Sequence, residues 1–410
     1  MTFGIDALNV YGGVAQIPSG AVFAGRGLDP GRYGNLLMRN RSVALPFEDP
    51  VTNAVNAARP LVEQLDEAQR QRIELVVTAT ESGLDLSKSV ASYVHKHLGL
   101  GPHCRLVELK QACYAGTAGL QLAVGYLASG LSPGARVLLV ATDVAMVDET
   151  AEYAEPATGS GAVAMMLAAD PQVLAIDLGA FGAYSFEVLD SARPTPHLDI
   201  VDVDRSLVAY LTCLVRCFDD YRSRVADVDV TKTFDFLALH TPFAGMARAA
   251  HRKLMREYGD ASDRALAEDF TARVAPSLEY PSLVGNLFSG SLYLALASLV
   301  DHAPIDGTAR VGLFSYGSGC SSEFFSGLVG PAAKPALARM RIGARLAGRA
   351  EVTFAEYLQL VPEHKRCLAP DRYRDVDLAR WRPFVERATA RGPLLALRRI
   401  DSYHREYDWI

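Results

Sequence analysis

Residues 112–140 read ACYAGTAGLQLAVGYLASGLSPGARVLLV, and residues 286–314 read NLFSGSLYLALASLVDHAPIDGTARVGLF. Laid together without a gap, at an offset of 286 minus 112, or 174, they match where packing alone dictates nothing. Gly116 meets Gly290, Thr117 meets Ser291, and Ala135-Arg136-Val137 meets Ala309-Arg310-Val311. Each stretch predicts a loop, an apolar helix, a Pro/Gly turn and a strand. Working outward, IELVVTATE from Ile73 pairs with FDFLALHTP from Phe234, and GIDAL at the start pairs with AIDLG around Ile176. The order of elements is the same in both halves. This predicts a duplicated α/β chain, with an N-terminal half over 1–172 and a C-terminal half over 173–410. GSG triplets at 159–161 and 317–319 are expected to follow the long strands.

Composition narrows the function classes. The chain has 410 residues, 50% hydrophobic and 21% charged, enough apolar material for a large core. A formal net charge of -6 supplies no bulk cationic field for a nucleic-acid backbone. Six scattered cysteines form neither a disulfide framework nor paired CxxC zinc sets. The opening MTFGIDALNVYGG lacks the basic and apolar regions of a secretory leader, so a cytoplasmic location is expected. The uncharged stretches between Lys110 and Arg136 and between Glu279 and Asp301 are broken by Gly, Ser or Pro, as buried elements are. The Arg-rich tail from Lys334 onward is expected to cover a dimer surface or meet a carrier protein.

Ligands in α/β sheets collect at the carboxyl ends of strands. Glu81 follows VVTAT, and His240 follows FLAL at the matching place in the other half. Cys113 follows RLVEL and opens the apolar helix from Tyr114, where the positive helix end favours a thiolate. A pseudo-twofold packing would bring the three together as nucleophile, base and cationic or hydrogen-bonding partner.

ELKQACYAGTAGLQLA, TATESG, LHTPF, GNLFSGSLYLALASL and FSYGSG, in this order, resemble the 3-hydroxy-3-methylglutaryl (HMG) synthases of the thiolase superfamily. The resemblance runs from Phe3 to about Ser326 and fades in the tail. It implies a five-layered αβαβα thiolase-like fold of two duplicated halves, normally a homodimer. It also implies that Cys113 accepts the acyl group, Glu81 serves as general base and acid, and His240 positions and polarises the acceptor. Asn286 and Ser318 resemble acceptor-site hydrogen-bonding groups. No metal or resident cofactor is implied, because the substrates ride on the phosphopantetheine of acyl carrier protein (ACP), with CoA as the alternative.

Members of this family that use free acetoacetyl-CoA resemble HxPFxK around the histidine, whereas this chain has Gly245 at the lysine position. LHTPFAGM, GIDALNVYGG and ALPFEDPVTNAVNAA look most like the branch that works in polyketide (antibiotic) assembly lines. There an acetyl group from a donor ACP joins a β-ketoacyl chain on an acceptor ACP and starts a β-branch. Arg248, Arg252 and Arg256 fall on one helical face that could dock an acidic carrier. Ala192, in LDSARP, departs from the Thr-Cys-Arg-Pro expected in that branch. An HMG-CoA synthase of isoprenoid metabolism and a non-catalytic carrier-docking scaffold stand as alternatives.

Overall fold

The computed structural model describes residues 1–146, 149–259 and 262–410. Nine strands form its largest sheet: β1 (Phe3–Tyr11), β2 (Ile73–Ala79), β3 (Arg105–Leu109), β4 (Arg136–Asp143), β5 (Gly161–Ala169), β6 (Leu174–Ser185), β7 (Phe236–Leu239), β8 (Ala309–Gly317) and β9 (Ser321–Val329). Their order is β7-β8-β9-β6-β1-β5-β4-β2-β3. Within this sheet the two half-sheets join where Gly4 pairs with Ala175 and Ile5 with Leu174.

The repeat seen in the sequence reappears as register. Leu75, Val137, Leu167 and Ile5 lie side by side across one half. Phe236, Val311, Gly327 and Ile176 do so across the other. Equivalent ion pairs accompany them, Asp6 with Arg136 at 2.8 Å and Asp177 with Arg310 at 2.9 Å. The GSG triplets depart from this symmetry. Gly317-Ser318-Gly319 follows β8 directly, whereas 159–161 comes after a long excursion from β4 and leads into β5.

Helix α1 (Pro50–Glu63) covers β1, β4 and β5, and α2 (Ala115–Ala128) packs on the same half. Helix α3 (Val203–Arg224) covers β6 and β9, α4 (Ala244–Tyr258) packs beside it, and α5 (Ser291–His302) contacts β7, β8 and β1. α2 and α5 meet between the half-sheets, where Thr117 Oγ1 and Tyr293 Oη share a 2.9 Å hydrogen bond. The result is the five-layered thiolase-like arrangement, in which the stretch between Glu279 and Asp301 is buried as expected, whereas that between Lys110 and Arg136 is buried on one face only and exposes Leu122 and Leu131. No helix among the described residues is long and apolar enough to cross a membrane.

The C-terminal tail folds onto its own chain. Strands Tyr373–Asp375, Leu395–Asp401 and His404–Trp409 form a small sheet against α1. Asp49, which caps α1 through the N–H groups of Val51 and Thr52, also receives Arg405 Nη1 at 3.0 Å and Tyr407 Oη at 2.8 Å.

Candidate active site

Cys113 sits on a strained turn. Ala112 adopts φ 44°, and the N–H groups of Tyr114 and Ala115 return to the carbonyls of Gln111 and Ala112. Gly317, at the end of β8, lies against this turn, and a Cβ there would fall 2.5 Å from the Tyr114 nitrogen. The half carrying His240 therefore closes on the cysteine only because residue 317 is glycine.

A cavity of about 180 Å³ is lined by Glu81, Cys113, His240, Asn286 and Ser318 together. The Cys113 thiol points at Glu81, with Sγ 3.5 Å from Oε1. His240 is held by its backbone: its N–H donates to the Phe314 carbonyl at 2.8 Å, and its own carbonyl accepts from Tyr210 Oη at 2.7 Å. Its Nδ1 is buried without a partner among the described residues. Asn286 Oδ1 accepts from the Phe288 N–H and from Ser291 Oγ, which aims the amide group and leaves its NH₂ without a partner among the described residues. The Tyr316 hydroxyl and the Gly319 N–H both donate to Asp190, pinning the Ser318 loop.

The electrostatics correct one expectation. A helix end is worth about 1 kcal/mol to a nearby charge, whereas burial of an unpaired charge costs several. Burial, then the carboxylates of Glu81 and Asp143, hold the Cys113 thiol well above its ordinary value, so it rests as a neutral thiol and not as a thiolate. Burial and Asp143 push Glu81 up to about 8, against the pull of Arg193. Burial pushes His240 down to about 3, which makes it a neutral hydrogen-bonding group at pH 7 and removes the cationic alternative.

Sequence spacing missed the groups that tune Glu81. Asp143 Oδ1 accepts the Glu81 N–H at 2.9 Å and the Thr80 and Ser82 hydroxyls at 3.0 Å. Arg193 donates to the Glu81 carbonyl at 3.3 Å and to Ser82 Oγ at 2.8 Å, while gripping Asp199 in a two-pronged contact. Asp143 ends strand β4, so the strand-end rule that found Glu81 and His240 would have found it. Arg193 belongs to a hairpin of Ser191–Thr195 with Leu198–Val201 and carries no such signal. Ala192 pairs with Ile200 in that hairpin and is not among the cavity-lining residues.

The arginine stripe lies outside the cavity. Arg248, Arg252 and Arg256 are exposed on α4. Arg256 faces Asp263 at 3.7 Å, and the other two have no ion-pair partner among the described residues.

The family model for the N-terminal part of hydroxymethylglutaryl-coenzyme A synthase matches residues 2–172, and that for the C-terminal part matches residues 256–375. The chain belongs to the HMG-CoA synthase family. This synthase is 42% identical to the polyketide biosynthesis 3-hydroxy-3-methylglutaryl-ACP synthase PksG of Bacillus subtilis, with 99% of each chain covered. It is 35% identical to the hydroxymethylglutaryl-CoA synthase of Enterococcus faecalis, over 88% of this chain and 92% of that one. Among solved structures it superposes on the curacin biosynthetic pathway HMG synthase in complex with holo donor-ACP, with a TM-score of 0.97, 42% identity and full coverage of both chains.

Proposed function

We propose that this synthase joins an acetyl group from a donor ACP to the β-ketone of a β-ketoacyl chain on an acceptor ACP, the opening step of polyketide β-branching. The observation that carries this is the meeting of Cys113, Glu81 and His240 in one cavity, with the thiol aimed at the carboxylate. Whole-length likeness to an HMG-ACP synthase, and to a synthase solved with its donor-ACP, supports carriers as the substrates' source.

The geometry suits each step. Cys113 Sγ attacks the acetyl thioester while Glu81 takes the thiol proton, which then leaves on the carrier thiol. Glu81, with its pKa near the working pH, next removes a methyl proton from acetyl-Cys113 to give an enolate. The enolate carbon attacks the β-carbonyl carbon of the acceptor. Neutral His240 and the Asn286 NH₂ hold the carbonyl oxygen as it becomes an alkoxide, which recovers the proton from Glu81. Water then cleaves the Cys113 thioester, leaving a carboxylate on the new branch and restoring the thiol. No metal or resident cofactor is required by this sequence.

Gly245 favours this reading over the CoA-dependent one. It is buried in the first turn of α4, and an added Cβ would fall 1.8 Å from the Asn35 carbonyl oxygen. The segment Pro30–Leu36 occupies the space a lysine would need. Arg248 and Arg252 remain to receive an acidic carrier surface. β3 leaves one sheet edge unpaired, with Leu106 and Val107 exposed, which supports self-association into a homodimer. A cytoplasmic setting fits carriers of this kind.

Reconstitution tests the proposal. Acetyl-ACP and acetoacetyl-ACP are expected to yield an HMG group on the acceptor carrier, seen by mass spectrometry. Faster turnover of acetyl-CoA and acetoacetyl-CoA would move the protein to the isoprenoid reading. Carrier binding with no product would leave a scaffold.

A further inference from the structure

A second cavity, also of about 180 Å³, lies between α1, the segment around Leu346 and the C-terminal tail, and shares no lining residue with the Cys113 cavity. Its walls carry five arginines, Arg59, Arg345, Arg349, Arg387 and Arg391, against one carboxylate, Glu63. Glu63 is already engaged by Arg59 at 2.6 Å.

Arg349 is the most telling of these. It is 3% exposed, and among the described residues its guanidinium donates only to neutral carbonyls, those of Leu346, Gly12 and Leu283. No carboxylate among the described residues lies within ion-pair distance of it. Glu48 is the acid that acts on it, and burial still lowers its pKa to about 9. Arg345 is half-buried with no hydrogen-bond or ion-pair partner for its side chain among the described residues. Arg387 places one nitrogen on the Gly348 carbonyl at 3.0 Å and has two others to spare. Arg391 donates to the carbonyls of Arg345 and Gly348. Five guanidinium groups against one carboxylate leave the cavity with net positive charge, half of it or more on side chains at its solvent mouth such as the exposed Arg387 and Arg391, and an anion would balance that charge. Planar forks with free N–H groups match phosphate oxygens, and several guanidinium groups facing one cavity suit its double charge.

We propose that this cavity is a phosphate-binding site, which takes inorganic phosphate or the phosphate of a monoester and pins the C-terminal tail to the body of the protein. Arg59, Arg345 and Arg349 contribute from the body, and Arg387 and Arg391 from the tail. The site stands apart from the acyl-transfer chemistry, so failure of either proposal leaves the other intact.

The test titrates the full-length protein with inorganic phosphate at fixed ionic strength and pH, reading the melting temperature and the heat of binding, with chloride as control. A saturable rise in melting temperature is expected. The variant Arg345→Gln/Arg387→Gln, altered at two side chains that hold no carboxylate, is expected to fold and to bind phosphate at least about tenfold more weakly. Its rate of acetyl uptake on Cys113 should equal that of the unaltered protein. Competition by CoA but not by dephospho-CoA would assign the site to a monoester, and equal indifference to both would assign it to free phosphate. Absence of a saturable response in the unaltered protein, or an equal response in the folded variant, would overturn the proposal.

Discussion

Asp143→Asn isolates the charge that holds Glu81 near neutrality. Asp143 Oδ1 accepts the Glu81 N–H at 2.9 Å. This puts the two carboxyl groups on the order of 6 Å apart, where a full charge pair at an effective dielectric near 20 interacts by about 3 kcal/mol, or about two pKa units. Burial holds Asp143 itself above its ordinary range, which makes two units an upper bound on its push. The variant should therefore lower the Glu81 pKa from about 8, by no more than about two units. The asparagine NH₂ would also face the Ser289 N–H, which now donates to Asp143 Oδ2 at 3.1 Å. That mismatch costs about 1–3 kcal/mol, so melting is measured alongside. The assay follows deuterium entering the acetyl group on Cys113 without acceptor, by mass spectrometry across the pH range on either side of the inflection. A folded variant whose inflection has not moved would refute the charge argument. Loss of exchange at every pH would give Asp143 a direct part in the chemistry.

His240→Ala should slow condensation by about 10² while leaving acetyl uptake intact. Because burial keeps His240 neutral down to about pH 3, the unaltered protein should show no inflection from it between pH 5 and 7 in its rate profile. Glu48 accepts from Tyr11 Oη at 2.6 Å and from the Leu45 and Val14 N–H groups, and burial raises its pKa to about 7. The folded protein keeps a proton there that the unfolded chain loses above the ordinary carboxyl value of 4.5. Its contribution, about 3 kcal/mol, is full below that value and lost as pH rises through about 7. Urea midpoints should fall across that window, and Glu48→Gln should flatten the slope. Arg405→Ala strands the buried Asp49 carboxylate and should cost about 3–5 kcal/mol, read as a lower melting temperature and early proteolysis of the C-terminal sheet.

The duplicated fold was legible because its two copies preserve features of backbone and charge, namely the Gly116 and Gly290 positions and the arginines that pair with Asp6 and Asp177. Strand ends marked Glu81 and His240, and the Gly-rich apolar helix marked Cys113. The protonation of the thiol was hidden, since it depends on Asp143 and on burial, which arise only when β4 and the cysteine turn assemble. Arg193 was hidden for a similar reason, because a hairpin distant in sequence brings it under Glu81. The tail showed arginines but not their partners. Its docking on α1 rests on Asp49, more than 300 residues earlier, through contacts separated by 356 and 358 positions.

The most direct measurement of the central claim is the intact mass of the protein after brief exposure to acetyl-ACP and, in parallel, to acetyl-CoA. The geometry predicts a single acetyl group on Cys113, taken faster from the carrier, absent in Cys113→Ala and present but unable to condense in Glu81→Gln. Acetyl uptake by Cys113→Ala, or no uptake from either donor, would contradict it.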